Sequence, residues 1–356
     1  MRSDAKKQVA SWACFFRVIL GQNMTTVAVT FVLGLGLFLA GIFLFARHAE
    51  KILGSDVKEM LKRAEGHKWF YLFLGIGVTA IVQSSSVVSS IVVGLVGSGI
   101  VSVFSGIIIL AGSSIGSTIT AQIISMPIIT YGPLLIAIGL VLWTFGLSGK
   151  YIKILGIGSF SLGLLFVGLV LMTGAFAGIE ETSWLAQQIS CFANSLWPMF
   201  LIGLLITIVL QSSSVSVGIS MAMVASGLIT PLAAIPFVLG ATTGTNITVN
   251  LASLITSRPG KIMARGFFVY RLAAALLAML LIGPFSFLVG LVTADPATAR
   301  FVANAYTLFN VMAAIPLLFL VKHIAKVGAW LSPPGELSPK EFIAKIRKKK
   351  ANHLGN

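Results

Sequence analysis

Nine apolar runs dominate this chain, and their lengths decide what it can fold into. They cover residues 26–46, 69–99, 102–124, 127–148, 151–173, 196–228, 231–255, 261–283 and 301–321. A helix needs about 20 apolar residues to cross a bilayer, and most of the runs fit that length. The sequence therefore predicts an all-α polytopic membrane protein.

Two of the runs, 69–99 and 196–228, are too long for a single crossing. The same kind of polar string interrupts each of them near its middle. We expect each run to form a re-entrant helical hairpin, in which two short half-helices enter and leave the membrane on the same side.

The charged residues are few and lie between the runs. They make up 10% of the 356 residues, and hydrophobic residues make up 57%, whereas soluble domains average about 25% charged residues. The net charge of +15 could indicate nucleic-acid binding, but such binding requires basic residues on a soluble face with aromatic residues between them. Here the basic residues lie at the ends of apolar runs, so we expect no nucleic-acid binding. The two cysteines are too few for a disulfide framework.

All ten acidic residues and all four histidines lie outside the apolar runs. A proton relay needs a group that titrates inside the membrane, so this distribution argues against proton coupling. No metal-ligand cluster, general-base pair or nucleophile with a neighbouring histidine supports catalysis. We therefore expect no enzyme activity and no cofactor.

The basic residues predict the topology. Nearly all of them fall in the connections at 47–68, 150–153 and 258–265 and in the tail at 322–356, whereas the connections at 125–126 and 174–195 have none. The positive-inside rule then places the basic tail in the cytoplasm, and we expect the chain to lie in the inner (plasma) membrane. Counting the crossings back from the tail places the N-terminus outside, yet the N-terminal segment, residues 1–25, is basic. Either an interfacial helix or a further partial span would explain this conflict.

An internal repeat spans most of the chain. At an offset of 128 residues, Gln83-Ser84-Ser85-Ser86 aligns with Gln211-Ser212-Ser213-Ser214, and Gly112, Gly116 and Thr120 align with Gly240, Gly244 and Thr248. Upstream, Leu35-Gly36 and Gly41 match Leu162-Gly163 and Gly168 at an offset of 127. We divide the chain into repeat 1 (26–148, hairpin 69–99), repeat 2 (151–283, hairpin 196–228) and a final transmembrane helix region (284–321).

Each repeat unit has an odd number of crossings, so the second is expected to be inverted relative to the first. Inverted repeats with discontinuous helices are the architecture of many secondary transporters. The alternative is a duplicated membrane scaffold, in which Ser, Thr and Gly serve only helix packing.

The paired Gln-Ser-Ser-Ser strings predict an anion site. Serine is a strong N-cap, and a helix start presents free N–H groups at the positive end of its dipole. Two such ends meeting inside the membrane would bind an anion without a buried lysine, and the amides of Gln83 and Gln211 would add hydrogen bonds. A single string of this kind is more often a loop than a site.

A second pair of strings, 112–120 and 240–248, combines glycines with hydroxyl and amide side chains. Paired glycines permit a helix to unwind, and the freed carbonyl oxygens, with the side-chain oxygens, would suit sodium. The alternative is close helix packing through small residues.

These strings, together with the openings LGLGLFLAGIFLF and SFSLGLLFVGLVLM, resemble the type II sodium-dependent phosphate cotransporter family, including its bacterial members. The resemblance runs from about residue 30 to 321 and implies sodium-coupled phosphate transport, with phosphate between the serine-rich tips and sodium nearby. The substrate residues are then Gln83, Ser84, Ser85, Gln211, Ser212 and Ser213. The candidate sodium ligands are Ser86, Ser114, Ser117, Thr118, Ser214, Thr242, Thr245 and Asn246.

The chain departs from the family pattern at several positions. Ser114 and Thr242 stand where the family usually has Asn. A downstream family motif that ends in Asn has two copies here, at 267–271 and 305–310: Asn310 keeps the final Asn of the second copy, and Arg271 replaces that of the first. We expect Arg271 to extend to the cytoplasmic edge of the membrane rather than contact the anion. The Asp of electrogenic animal members is missing from residues 121–131, which favours two sodium ions per phosphate.

The sequence thus predicts a sodium-coupled phosphate symporter that works by alternating access, with phosphate, sodium and the lipid bilayer as its partners and no nucleic acid. Two alternatives stay open at this point. One is phosphate export or carriage of another small oxyanion or carboxylate, because helix ends and hydroxyls do not specify a tetrahedral ligand. The other is a non-transporting membrane scaffold or sensor that uses the tail to dock a partner.

Overall fold

The structure is a computed structural model, and its described part is built of helices. It describes residues 24–62, 67–126, 131–145, 150–179, 192, 195–294 and 298–332. Within these ranges, the helices that build the fold are α1 (Met24–Lys62), α2 (Lys68–Val82), α3 (Ser85–Gly97), α4 (Val103–Gly116), α5 (Thr118–Ile124), α6 (Gly132–Phe145), α7 (Lys150–Ala177), α8 (Leu196–Leu210), α9 (Ser213–Ala225), α10 (Pro231–Ser253), α11 (Arg258–Leu280), α12 (Ile282–Leu291) and α13 (Ala299–Trp330). The all-α class is confirmed.

Six stretches of the described chain are long and apolar enough to cross a bilayer. They are Met24–Arg47, Val103–Ile124, Ile152–Ala177, Pro231–Ser253, Arg258–Leu280 and Ala299–Trp330. Large apolar side chains such as Val209, Leu280 and Phe319 point outward with more than 70% of their surface exposed, as side chains that face lipid do. The protein is therefore a multi-pass membrane protein.

The repeat in the sequence has an equivalent repeat in the backbone. Gln83 and Gln211 adopt the left-handed conformation with φ of 55° and 54°, and Gly99 and Gly227 do so with φ of 78° and 81°. At each break the next helix starts with a serine N-cap, Ser84 or Ser212. Residues 128 positions apart thus adopt the same local structure.

Close packing of α2 on α4, and of α8 on α10, depends on glycine. A Cβ added to Gly112 would overlap the carbonyl oxygen of Leu72 in α2, and one added to Gly240 would overlap the carbonyl oxygen of Phe200 in α8. Adding 128 to Leu72 and Gly112 gives Phe200 and Gly240, so both halves use the same contact.

Helices α1 and α7 cross at a contact that is two-fold related. Gly41 in α1 lies against Leu165 in α7, and Gly168 in α7 lies against Phe38 in α1. Adding 127 to 38 and 41 gives 165 and 168, so one contact becomes the other when the halves exchange roles. The two halves therefore meet around a local pseudo-two-fold axis.

The helices that follow the breaks pack across the two halves. Helix α3 contacts α10 and α11, whereas α9 contacts α5, α7 and α13. The long helix α13 also packs on α4, α10 and α11. As a result, α3, α4, α9, α10, α11 and α13 all contribute to the interior of the protein.

Several expected boundaries differ in the structure. Helix α1 continues past the apolar run to Lys62, and α13 continues to Trp330, beyond the predicted start of the tail at 322. Residues 1–23 of the predicted interfacial segment and residues 333–356 of the predicted tail lie outside the described residues.

The expected helix interruption is slight in one half and absent in the other. In repeat 1 a turn residue, Ser117, separates α4 from α5, although its φ of −66° and ψ of −19° are still helical. In repeat 2 the helix α10 runs without a break from Pro231 to Ser253. The prediction of an interrupted helix in each repeat is therefore wrong for repeat 2.

Candidate functional site

The candidate site begins at the two helix breaks. Each break is a left-handed Gln followed by an extended Ser, whose hydroxyl accepts a hydrogen bond from the backbone N–H three residues on. The oxygen–nitrogen distance is 3.4 Å from Ser84 to Val87 and 3.5 Å from Ser212 to Val215. Serine thus caps the first turns of α3 and α9, and the remaining N–H groups of each first turn lie at the positive end of the helix dipole.

The left-handed glutamines indicate that their side chains matter. Glycine is the usual residue in this conformation at a helix end, and a non-glycine residue costs about 1–2 kcal/mol there. The Gln83 amide donates to Ala80 O and accepts from the Thr120 hydroxyl. The Gln211 side chain makes no hydrogen bond among the described residues.

The two breaks touch each other. The hydroxyl of Ser86, at the start of α3, donates to the backbone oxygen of Gln211 at 3.0 Å. Two polar strings that are far apart in the sequence therefore lie at one place in the structure, where Gln211 is exposed.

A small polar cavity of about 20 Å³ lies beside the breaks. Its wall is formed by Ser85, Ser89, Leu110, Ser113, Ser114, Ser117, Ser213, Thr242, Thr245, Asn246, Val249, Phe267, Arg271, Tyr306 and Asn310. A cavity needs about 10–15 Å³ of such volume to hold one water molecule. The cavity therefore has room for one or two waters, and a phosphate ion with five heavy atoms requires its walls to move apart.

Seven of the predicted site residues line this cavity, from both halves of the chain: Ser85, Ser114, Ser117, Ser213, Thr242, Thr245 and Asn246. The others lie close by in the structure. Ser84 and Ser212 are the N-caps, Gln83 lines a second small cavity, and Ser86 and Gln211 join the breaks. Thr118 donates to Ile115 O, and Ser214 is buried in α9.

The hydroxyl strings stay helical because their side chains bond to their own helix. In α10, Thr242 donates to Leu239 O at 2.8 Å, Thr245 to Ala241 O at 3.2 Å, and Asn246 to Thr242 O at 2.8 Å. The expected unwinding at 240–248 is therefore wrong, and the glycines there serve close helix packing.

The same hydrogen bonds leave acceptor atoms available. A hydroxyl whose proton is donated to a carbonyl still has lone pairs on its oxygen, and the Asn246 amide keeps its carbonyl oxygen. Because Thr242, Thr245 and Asn246 all line the cavity, their oxygens are suitable ligands for a hard cation.

Tyr306 joins both halves at the cavity. Its hydroxyl lies 2.9 Å from the Ser117 oxygen of repeat 1 and 2.9 Å from the Ser213 oxygen of repeat 2. Ser117 gives its proton to Ser114 O, so Tyr306 must donate to Ser117 and accept from Ser213. This buried tyrosine was not predicted, because it stands in the final helix region, outside the repeats.

Arg271 is the second residue at the cavity that was not predicted to belong to the site. Only 3% of its surface is exposed, it lines the cavity, and its Nη2 donates to the Asn310 Oδ1 at 2.7 Å. The expectation that it extends to the membrane edge is wrong, since α13 packs over it. A lone arginine inside the run 261–283 was the available signal.

The chain can now be compared with known proteins. A model of the Na+/Pi-cotransporter family matches residues 37–174 and 181–321. The chain belongs to this family. The resemblance seen in the serine-rich strings is thereby confirmed, and the Na+/Pi-cotransporter family is a family of transporters and not of enzymes. The family model matches the chain in two segments, of which the first contains most of repeat 1 and the second contains the predicted hairpin of repeat 2.

Three relatives show the range of the similarity. The uncharacterized protein YqeW of Bacillus subtilis is 30% identical over 287 residues, which are 80% of this chain and 90% of YqeW. The putative inorganic phosphate export protein YjbB of Salmonella typhimurium is 24% identical over 277 residues, 78% of this chain and 51% of YjbB. The chain thus spans about half the length of YjbB.

Similarity also extends to an animal protein. The human sodium-dependent phosphate transport protein 2B is 37% identical over 120 residues, 33% of this chain and 16% of that protein. No solved structure matches the chain significantly.

Proposed function

We propose that this protein is a sodium-coupled transporter of inorganic phosphate in the inner (plasma) membrane. It works by alternating access between two inverted repeats, each with a re-entrant hairpin (α2–α3 and α8–α9), and its C-terminal tail is cytoplasmic. The observation that carries the proposal is the single polar cavity that both halves build, with the starts of α3 and α9 at its wall.

Phosphate binds between the two helix starts. Ser85 and Ser213 donate hydroxyl hydrogen bonds to it, and the first-turn N–H groups of α3 and α9 add positive dipole ends. Ser84, Ser212, Gln83 and Gln211 set the breaks and complete the substrate site when the cavity widens. Such a site selects an anion by hydrogen bonds and suits a small oxyanion better than a large one.

Sodium binds to hydroxyl and amide oxygens that line the same cavity. Thr242, Thr245 and Asn246 present acceptor atoms there, and Ser114 and Ser117 present the equivalent groups from repeat 1. Ser86, Thr118 and Ser214 are further candidates. Importing a dianion against 100 mV costs roughly 4.6 kcal/mol, at about 2.3 kcal/mol per charge, and two sodium ions cancel this cost.

Labelled-phosphate flux into proteoliposomes tests the proposal. We expect an inward sodium gradient to drive phosphate accumulation, and a sodium ionophore to abolish it. Ser85→Ala and Ser213→Ala should each reduce uptake strongly. Ser286→Ala, which changes an exposed serine of α12, is the matched control and should not. Uptake that ignores the sodium gradient would refute the coupling.

Export is the second candidate, because the relative YjbB is named a putative phosphate exporter. Vesicles loaded with phosphate distinguish the directions: an exporter releases phosphate faster than it takes phosphate up under matched gradients. A carrier of another oxyanion or of a carboxylate would transport sulfate or succinate in preference to phosphate. No flux of any of these anions, with both serine variants silent, would favour a scaffold or sensor.

A further inference from the structure

Arg271 is a full positive charge buried in the interior of a membrane protein. It lies within the apolar stretch Arg258–Leu280, and 3% of its surface is exposed. A buried charge is very costly unless it is paired, and an ionisable residue inside the membrane generally marks a functional site. The guanidinium of Arg271 therefore requires a partner that compensates its charge.

The partners within the protein are incomplete. Asn310 accepts from Nη2 at 2.7 Å, and the Phe309 ring lies 4.8 Å from Cζ. Nε is buried without any hydrogen-bond partner, the one buried side-chain nitrogen or oxygen left unpaired among the described residues. The side chains that the structure describes include no carboxylate. Asn310 and Phe309 are both neutral, so neither contact compensates the positive charge of Arg271.

The location of Arg271 indicates what compensates it. Its side chain lines the cavity that Ser85 and Ser213 also line, and these serines stand in the first turns of α3 and α9. Two positive dipole ends and a guanidinium thus meet at one cavity. An arginine fork presents its N–H groups to two oxygens of an oxyanion at once.

We propose that Arg271 binds the substrate directly and selects a doubly charged tetrahedral oxyanion. Nε and one terminal nitrogen donate to two oxygens of the anion, while the serines donate to the others. Asn310 is a positioning residue, because it accepts from Nη2 at 2.7 Å and so fixes the orientation of the guanidinium. This inference rests on the proposed phosphate transport and adds to it a charged group that distinguishes the dianion from the monoanion.

A purely structural arginine would behave differently. Its contacts with Phe309 and Asn310 would contribute to stability, and its loss would lower the unfolding temperature without changing which form of phosphate is bound. A substrate-binding arginine changes the half-saturating phosphate concentration and its pH dependence. These two readouts separate the roles.

The first experiment compares wild type, Arg271→Gln and Arg271→Lys in the proteoliposome flux assay at acidic and at alkaline pH. We expect Arg271→Gln to raise the half-saturating phosphate concentration by about 10- to 100-fold, the range for one charged hydrogen bond. Wild type should bind more tightly at alkaline pH, where the dianion dominates, and Arg271→Gln should lose that preference. Arg271→Lys should keep the preference with weaker binding.

Arg300→Gln is the matched control. It removes the same charge from an arginine that bonds Ser125 and does not line the cavity, and it should keep the wild-type value. If Arg271→Gln fails to fold, Asn310→Asp tests the same idea with the arginine intact. The new carboxylate would pair with the guanidinium and would lose the hydrogen bond that the Asn310 amide donates to Tyr306 O at 2.7 Å. Phosphate should therefore bind at least 10-fold more weakly to protein that a thermal melting curve shows to be folded.

The outcomes separate the two proposals. Wild-type flux with an unchanged phosphate dependence in Arg271→Gln or Asn310→Asp overturns the role of Arg271 and leaves phosphate transport standing. A wild-type protein that neither transports phosphate nor binds it in calorimetry overturns both.

Discussion

Removing the hydroxyl of Tyr306 should weaken the contact between the two halves of the protein at the cavity. In the structure the cavity measures about 20 Å³, too small for phosphate, and the Tyr306 hydroxyl bridges Ser117 and Ser213 at 2.9 Å on each side. We call this narrow arrangement the closed conformation. Ser213 must give up this bond before it can donate to a substrate. Tyr306→Phe keeps the ring, which is fully buried, and deletes both bonds.

The size of the effect follows from the two hydrogen bonds. Each neutral bond contributes about 0.5–1.5 kcal/mol, so the closed conformation should lose about 1–3 kcal/mol relative to an open one in which water solvates the hydroxyl. That difference shifts the ratio of open to closed protein by about 5- to 150-fold. Because the closed, empty form competes with substrate binding, the half-saturating phosphate concentration should fall.

Cysteine labelling measures this shift directly. In a chain whose Cys14 and Cys191 are replaced by serine, a Ser89→Cys reporter lies at the cavity wall and reacts with a polar maleimide only when the cavity opens. We expect Tyr306→Phe to raise the labelling rate by about 5-fold or more, and the exposed control Tyr131→Phe to leave it unchanged. Equal labelling rates and equal phosphate dependence in wild type and Tyr306→Phe would refute the reasoning.

Two further predictions concern the breaks and the glycine contacts. Gly240→Ala should destabilise the detergent-solubilised protein by about 1–3 kcal/mol, because the new Cβ overlaps Phe200 O. The control Gly77→Ala should not destabilise it, because no atom lies within 4 Å of the new Cβ. Equal thermal unfolding temperatures of the two variants would contradict the packing argument. Gln211→Gly should gain up to about 1 kcal/mol by relieving the left-handed strain yet lose phosphate flux, whereas Gln211→Ala should lose the flux without the gain. Full flux in Gln211→Gly would show that the amide is dispensable.

Much of the fold could be predicted because its determinants are local and repeated. The length of an apolar run specifies a membrane span, and a serine after a glutamine specified the same break twice, with Gln83 and Gln211 adopting nearly equal φ angles. Contacts between the halves were beyond such reasoning. The Ser86 bond to Gln211 joins residues 125 positions apart, and nothing in either string alone indicates its partner.

The candidate site was predictable only in its repeated part. Tyr306 and Asn310 stand in the final helix region, outside the two repeats, and no arginine stands at the position of repeat 1 that is equivalent to Arg271. Comparing the two halves therefore gives no signal for these residues. The sodium argument expected freed carbonyls, but a threonine hydroxyl can instead bond to a carbonyl in the preceding turn of its own helix, as Thr243 does to Leu239 O at 2.9 Å. Sequence alone does not decide between these two uses of a hydroxyl.

The crossing of α1 and α7 has a consequence for the origin of the chain. Gly41 against Leu165 and Phe38 against Gly168 form a self-complementary patch, the type of interface by which identical subunits associate in symmetric dimers. An ancestral protein with only one half could build the same crossing with a second copy of itself. Gene duplication and fusion would then have freed each copy to diverge, which allowed single residues such as Arg271 to become specialised in a site that was once symmetric.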